Sequence, residues 1–141
     1  MIDDSKVYDI YDKFGVEDNV VIIEQFTKII SDNETSNIVK SKAYCGMGDL
    51  IIFFDPFSRE DGGYGYYKKA LEYDPNNLVA RIGICIVFDA YPEPYSEIVP
   101  EKEYLENLAI LLDKFYEIDE SNKKNVIQLM KSFVQNRLES I

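Results

Sequence analysis

The chain lacks histidine and tryptophan, and only two of its 141 residues are cysteine. Without histidine, a serine or cysteine nucleophile has no imidazole base, and most zinc sites lose one of their usual ligands. Two cysteines do not make a disulfide framework. Cys45 and Cys85 fall at apolar helical positions, so we expect buried, unreactive thiols, with no metal site and no cofactor.

Long apolar runs are also missing from the sequence. No segment approaches the roughly 18 apolar residues that a membrane span needs. The first residues, Met1 to Lys6, lack the basic region followed by an apolar region that marks a secretory signal. We therefore expect a protein of a reducing, cytoplasmic compartment.

Acidic residues are in excess, with 26 aspartates and glutamates against 15 lysines and arginines and a net charge of −11. Such a surface repels phosphate backbones and anionic lipid headgroups, so nucleic-acid and membrane partners are disfavoured. The segment Asp89–Glu106 holds six acids and one lysine, whereas Ser121–Ile141 is basic. The length and the hydrophobic content of 46% predict one folded domain over residues 1–141.

Apolar residues recur every three or four positions along most of the chain, which predicts an all-α fold of about seven helices. The predicted helices are Asp3–Phe14, Glu17–Ser31, Ser36–Phe54, Gly65–Tyr73, Leu78–Tyr91, Glu101–Ile118 and Asn122–Ser140. The β-branched run Val20–Ile23 also permits a strand, but the helical spacing that follows it favours a helix. The buried stripe expected for this second helix is Val20, Ile23, Phe26 or Thr27, and Ile30.

Prolines and glycines mark the breaks between these helices. Pro75 cannot donate a backbone hydrogen bond and disfavours a helical Asp74, so one helix ends there. Asn77 suits the cap of the next helix. Pro56–Gly65 predicts a loop, and the three prolines of Pro92–Pro100 predict a stiff, extended connector.

Tyr67, Ala70 and Pro75 follow one another at intervals of three and five residues. This spacing resembles the aromatic, alanine and proline of the second helix of a tetratricopeptide repeat, and the whole resemblance covers Ser41–Asn77. The positions that match the rest of the motif are Tyr44, Met47, Gly48, Ile51 and Gly63. Gly48 and Gly63 suit a close helix crossing. The resemblance implies a short right-handed superhelical stack of three antiparallel helix pairs and a C-terminal capping helix.

In tetratricopeptide proteins, the first helix of each pair lines a concave groove that holds a peptide or a partner helix. By repeat position, the resemblance assigns to this groove Lys42, Cys45, Asp49, Ile52, Phe53, Val79, Ile82, Ile86 and Asp89. The carboxylate clamp of the family's chaperone-binding branch is absent, because cysteine, aspartate and isoleucine hold its positions. A mixed apolar and acidic groove favours an apolar or basic partner segment. Alternatively, Phe53 and the three isoleucines are core residues.

No enzyme signature is visible in the sequence. The glycines around Tyr64 lack the preceding strand and the Gly-Lys ending of a phosphate-binding loop. Carboxylate pairs are frequent because the chain has 26 acids, and none is flanked by apolar residues that would raise a pKa. We therefore predict a non-enzymatic protein–protein interaction module.

Two other functions remain open. A structural subunit of a homo- or hetero-oligomer would use an exposed apolar stripe on the last helix, formed by Val126, Met130, Phe133 and Val134. A small acidic inhibitor, or a mimic of an anionic ligand, would use the Asp89–Glu106 cluster, and its binding would weaken steeply with salt.

Overall fold

A computed structural model describes residues 3–93 and 96–141. These residues form seven α-helices and one short 3-10 helix, and no strand occurs among them. The α-helices are α1 (Asp4–Tyr11), α2 (Asn19–Ser31), α3 (Asn37–Phe54), α4 (Tyr64–Tyr73), α5 (Leu78–Ala90), α6 (Glu101–Asp113) and α7 (Glu120–Glu139). The predicted all-α fold of seven helices is therefore confirmed.

Helix α6 ends earlier than the sequence predicts. One helix is expected over Glu101–Ile118, but α6 ends at Asp113 and a 3-10 turn over Phe115–Glu117 follows. Residues three apart share a face in both kinds of helix, so the apolar spacing does not distinguish them. The tighter turn leads to Ile118, which is buried in the core.

The helices pack in chain order, each on the next, from α1 to α7. The odd-numbered helices also pack on one another: α1 on α3, α3 on α5, and α5 on α7. This pattern places the odd-numbered helices in one continuous layer, with the even-numbered helices packed against it. It is consistent with the predicted helix pairs, while the right-handed superhelical twist stays a prediction.

Tyr67 of α4 lies at the centre of this packing and is fully buried. Its ring sits so close to Gly48 of α3 and Gly83 of α5 that Cβ atoms there would come within 2.7 and 2.3 Å of it. Gly63 precedes α4 with φ +97°, and a Cβ there would lie 2.8 Å from the carbonyl oxygen of Gly48. The expected close crossing at Gly48 and Gly63 is therefore present, and Gly83 extends it to α5.

Side-chain hydrogen bonds to backbone N–H groups stabilise the starts of α4 and α5. Asn77 accepts a hydrogen bond from the backbone N–H of Ala80 at 3.1 Å, as expected for a cap. Ahead of α4, the Asp61 carboxylate accepts hydrogen bonds from the N–H groups of Gly63 and Gly65, each at 2.9 Å. The glycine-rich segment is thus an ordered helix start.

The buried stripe of α2 differs from the predicted one. Ile22, Phe26 and Ile29 are buried in a cluster with residues of α1 and α3, whereas Val20 is 66% exposed. Phe26 belongs to the predicted stripe and is buried, and the predicted Ile23 and Ile30 pack against the same cluster. The prediction is therefore wrong at Val20 and misses Ile22 and Ile29, because four consecutive apolar residues leave the rotation of a helix undetermined. The strand alternative for Val20–Ile23 is wrong, because these residues lie within α2.

The connector between α5 and α6 contains Pro94 and Tyr95, which lie outside the described residues. The expectation of a stiff, extended Pro92–Pro100 segment therefore stays a prediction for that part. Near its end, Val99 is fully buried and joins the core cluster formed mainly by α4 to α7.

Candidate functional site

A groove of about 430 Å³ opens on the layer of odd-numbered helices. Helix α1 contributes Val7, Tyr8 and Tyr11, and α3 contributes Lys42, Cys45 and Asp49. The starts of α5 and α7 contribute Asn77, Val79, Asp119 and Asn122. We call this surface the odd-helix groove.

The Asp49 carboxylate forms the polar floor of the odd-helix groove. Its Oδ2 accepts a hydrogen bond from the Tyr11 hydroxyl, and its Oδ1 accepts one from the Tyr67 hydroxyl, both at 2.6 Å. The two tyrosines come from α1 and α4, so the carboxylate on α3 is held from both sides. Since Tyr67 is wedged between helices, the position of the carboxylate is tied to the central packing of the fold.

Burial raises the pKa of Asp49 to about 6, although the hydrogen bonds from Tyr11 and Tyr67 favour the charged form. The pKa values of both tyrosine hydroxyls are raised well above their usual range, first by burial and then by the neighbouring Asp49. At pH 7 the group with a pKa of about 6 is mostly ionised. None of the ion pairs formed within residues 3–93 and 96–141 includes Asp49.

The other charged side chains of the groove already form hydrogen bonds within the chain. Lys42 donates a hydrogen bond to Asp4 at 2.7 Å, and its Nζ lies 5.9 Å from the centre of the Tyr8 ring. Asp119 caps α7 by accepting a hydrogen bond from the N–H of Asn122 at 2.8 Å. Asp49 is therefore the groove carboxylate that has neither a cationic neighbour nor a capping role within the described chain.

Four of the nine residues assigned to the groove from the sequence line it together: Lys42, Cys45, Asp49 and Val79. The first three share one face of α3, and Val79 lies at the start of α5, which packs on α3. The packing of α5 on α3 therefore brings these four residues to one surface, as the helix pairing predicted.

The other five predicted residues lie outside the groove. Ile82 is 2% exposed and belongs to the core, and Ile52 and Ile86 are partly buried against that core. The core alternative thus holds for the isoleucines. Phe53 is 57% exposed and fits neither prediction, because it lies in the last turn of α3, beyond the groove.

Asp89 lines a different surface, a polar pocket of about 420 Å³ against α7. Because α7 packs on α5, it closes the part of the α5 face that the sequence assigned to an open groove. Burial raises the pKa of Asp89 to about 6, and its Oδ1 has no hydrogen-bond partner among the described residues. Neither Asp49 nor Asp89 belongs to a carboxylate pair, so the expectation about such pairs did not cover these two raised pKa values.

Sequence reasoning missed the contribution of α1 to the groove. Tyr8 and Tyr11 are separated from Lys42 and Asp49 by more than 30 residues, and no repeat motif covers α1. The sequence did contain one signal for this contribution, because α1 is the first helix of a predicted helix pair. The same argument applies to Asp119, whose place beside α1 and α3 depends on how α7 packs.

Reactive cysteine chemistry is disfavoured by the surroundings of both thiols. Cys45 and Cys85 are free and buried, and burial raises the pKa of each thiol well above its usual range.

Residues 3–93 and 96–141 contain no group of three histidine, cysteine or acidic side chains placed to hold a metal ion. Over the same residues, no helix is both long enough and apolar enough to cross a membrane.

A second, larger groove of about 760 Å³ lies between the end of α6 and the outer face of α7. We call it the terminal groove. Leu112, Phe115 and Tyr116 form one wall, and Val126, Ile127, Met130, Lys131, Val134 and Gln135 form the other. Its lining is mainly apolar, and Lys131 is its one charged residue among those described.

The exposed apolar residues of α7 differ from the stripe predicted for the last helix. Val126 is 1% exposed and belongs to the core, so it is not part of an exposed stripe. Met130 and Phe133 are partly buried, whereas Val134 is 50% exposed. The sequence analysis missed Ile127 and Leu138, which are exposed on α7.

No known protein family, curated protein or solved structure matches this chain.

Proposed function

We propose that the protein is a non-enzymatic binding module, similar in organisation to tetratricopeptide proteins, whose odd-helix groove holds a partner segment with a lysine or arginine beside apolar residues. The observation that carries the proposal is the Asp49 carboxylate, which lies on the floor of an open groove and forms no ion pair with any described residue. A charge in this setting has lost part of its hydration, so a partner cation that reached it would gain more than at an exposed site.

The apolar parts of the groove suit the rest of such a segment. Val79 and the rings of Tyr8 and Tyr11 line the same groove as the carboxylate, and aromatic faces attract cations as well as apolar groups. The stems of lysine and arginine are themselves apolar, so one side chain would use both kinds of contact.

An acidic segment is the competing ligand, because helix starts favour negative charge and both α5 and α7 begin at this groove. The side chains of Asn77 and Asp119 already accept hydrogen bonds from those helix starts, and Lys42 is already paired with Asp4. The features that attract anions are thus satisfied within the chain, whereas Asp49 has two hydrogen-bond donors but no cationic partner among the described residues. This difference favours a basic segment.

We also propose that the protein works in a reducing compartment such as the cytoplasm. Cys45 and Cys85 are both free and buried, as is usual for proteins of that environment.

The test is a library of fluorescent peptides in which a central arginine is flanked by apolar residues, each made also with citrulline, which keeps the shape and removes the charge. We expect the arginine members to bind at least about tenfold more tightly than their citrulline partners, measured by fluorescence anisotropy. Asp49→Asn should abolish that preference, and Glu106→Gln, at an exposed acid outside the groove, should preserve it. Equal binding of both peptide forms, or preferred binding of a glutamate series, would contradict the proposal.

A further inference from the structure

Helix α7 is covered less completely than the other odd-numbered helices in the middle of the fold. Helix α3 packs against both α2 and α4, and α5 packs against both α4 and α6. Helix α7 packs against α5 and α6, and its remaining side faces the terminal groove. Among the described residues, the position after α7 that corresponds to α4 after α3 and to α6 after α5 is an apolar groove.

The exposed side of α7 carries a regular stripe. Ile127, Val134 and Leu138 are spaced by seven and four residues, so they share one face of the helix, and each is about half exposed or more. From Ile127 to Leu138 the stripe spans about 17 Å, or three helical turns. A second helix of that length matches the groove in shape and in apolar character.

The charged residues beside the stripe indicate which charge a partner would carry. Helix α7 has four basic residues, Lys123, Lys124, Lys131 and Arg137, against two acidic ones, Glu120 and Glu139, in a chain whose net charge is −11. Lys123 pairs with Glu120, and Arg137 lies 3.7 Å from Glu101. Lys124 and Lys131 fall on the stripe itself, are exposed, and form no ion pair within the described residues.

We infer that the terminal groove docks an amphipathic α-helix of another protein, with an apolar stripe against Ile127 and Val134 and carboxylates against Lys124 and Lys131. At physiological ionic strength, charges beyond about 8 Å are largely screened, so lysines on the stripe act on a bound helix despite the net negative charge of the chain. A second copy of this chain is disfavoured as the occupant, because its own α7 would bring the same two lysines to the groove. This surface is separate from the odd-helix groove, and its occupation does not depend on Asp49.

Two helix-stabilised synthetic peptides of 14 residues test the inference. Both carry the same leucine stripe at helical spacing, one with glutamates and the other with lysines along its flanks. We expect the glutamate peptide to bind the full chain at least about tenfold more tightly than the lysine peptide, with an affinity that falls as salt rises.

Three variants locate the binding. Val134→Glu should weaken the glutamate peptide at least about tenfold, and Lys131→Glu should weaken it about fivefold while strengthening the lysine peptide. Val20→Glu places the same charge on an exposed valine of α2 and should change neither affinity. All three sites are exposed, and circular dichroism verifies that each variant remains folded.

Other outcomes would overturn the inference. Equal affinity for the two peptides would show that the groove does not select an acidic partner. Binding that survives Val134→Glu would show that the peptide does not bind in the terminal groove. Sedimentation that shows a dimer of the wild-type chain and a monomer of Val134→Glu would assign the groove to a second copy instead.

Discussion

The odd-helix groove and the terminal groove are built in different ways. The first has a charged floor that is held by two buried hydroxyl groups and joined through Tyr67 to the centre of the fold. The second is a mainly apolar cleft between two helices, and Leu112, Ile127 and Val134 in its lining are each about half exposed. The contrast indicates that changes to the first surface alter stability as well as binding, whereas changes to the second alter binding alone.

The largest effect is expected from Tyr67→Ala. This change empties the space between Gly48 and Gly83 and removes one hydrogen bond from Asp49. Truncation of a buried aromatic side chain typically lowers the free energy of unfolding by about 3–5 kcal/mol. Urea denaturation measures the loss. Val134→Ala, the matched change in the terminal groove, should stay within about 0.5 kcal/mol of wild type, and equal losses would remove the contrast.

Stability should also depend on pH through Asp49. Its folded pKa of about 6 lies above the value of about 3.9 for an unfolded aspartate, so the folded state binds the proton more tightly. The stabilisation that this provides is full below pH 4 and is lost as pH rises through 6. The expected loss for this group between pH 4 and pH 7.5 is on the order of 2 kcal/mol.

Urea denaturation at several pH values in that window checks this prediction. Asp49→Asn should flatten the dependence of the unfolding free energy on pH. Asp89→Asn should flatten it in the same direction, because the pKa of Asp89 is also raised to about 6 by burial. An unchanged slope in Asp49→Asn would show that its carboxyl titrates normally.

A smaller loss is expected from Gly83→Ala. The added methyl group would lie 2.3 Å from the ring of Tyr67, so α4 and α5 must separate slightly or the ring must turn. Overpacking of this kind typically costs about 1–3 kcal/mol. Thermal unfolding measures the loss, and the change should also weaken arginine-peptide binding because Tyr67 positions Asp49. A fully stable variant would mean that the crossing is looser than described.

A loss of stability is also expected from Tyr11→Phe, which keeps the ring and removes one donor from Asp49. Loss of a hydrogen bond to a charged group typically costs about 1.5–3 kcal/mol, and water entering from the groove should reduce this toward the lower value. Because one stabiliser of the carboxylate is gone, its pKa should rise further. Carbon-detected NMR titration of the aspartate carboxyls reads that shift, and a fall in the pKa of Asp49 would contradict the geometry.

Local signals were enough to predict the helices and one crossing from the sequence. Apolar spacing together with Pro75 and Asn77 placed the break between α4 and α5, because proline and caps act within a few residues. Gly48 and Gly63 were identified because close helix approach requires residues without bulk.

The site was predicted only in part because it depends on distant packing. Lys42, Cys45 and Asp49 share one face of a single helix, so periodicity brought them together. The partnership of Tyr11 with Asp49 joins residues 38 positions apart, and local pattern carries no information on it. Ile86 and Asp89 were misplaced for the same reason, since α7 returns onto α5 from more than 30 residues away.

The most direct test of the central claim is the pKa of Asp49 with and without a bound arginine peptide, measured by NMR of the carboxyl carbon. A cation that pairs with this carboxylate favours its charged form. The account predicts a pKa of about 6 in the free protein and a value at least about one unit lower in the complex. A peptide that binds in the odd-helix groove and leaves the pKa of Asp49 unchanged would contradict it.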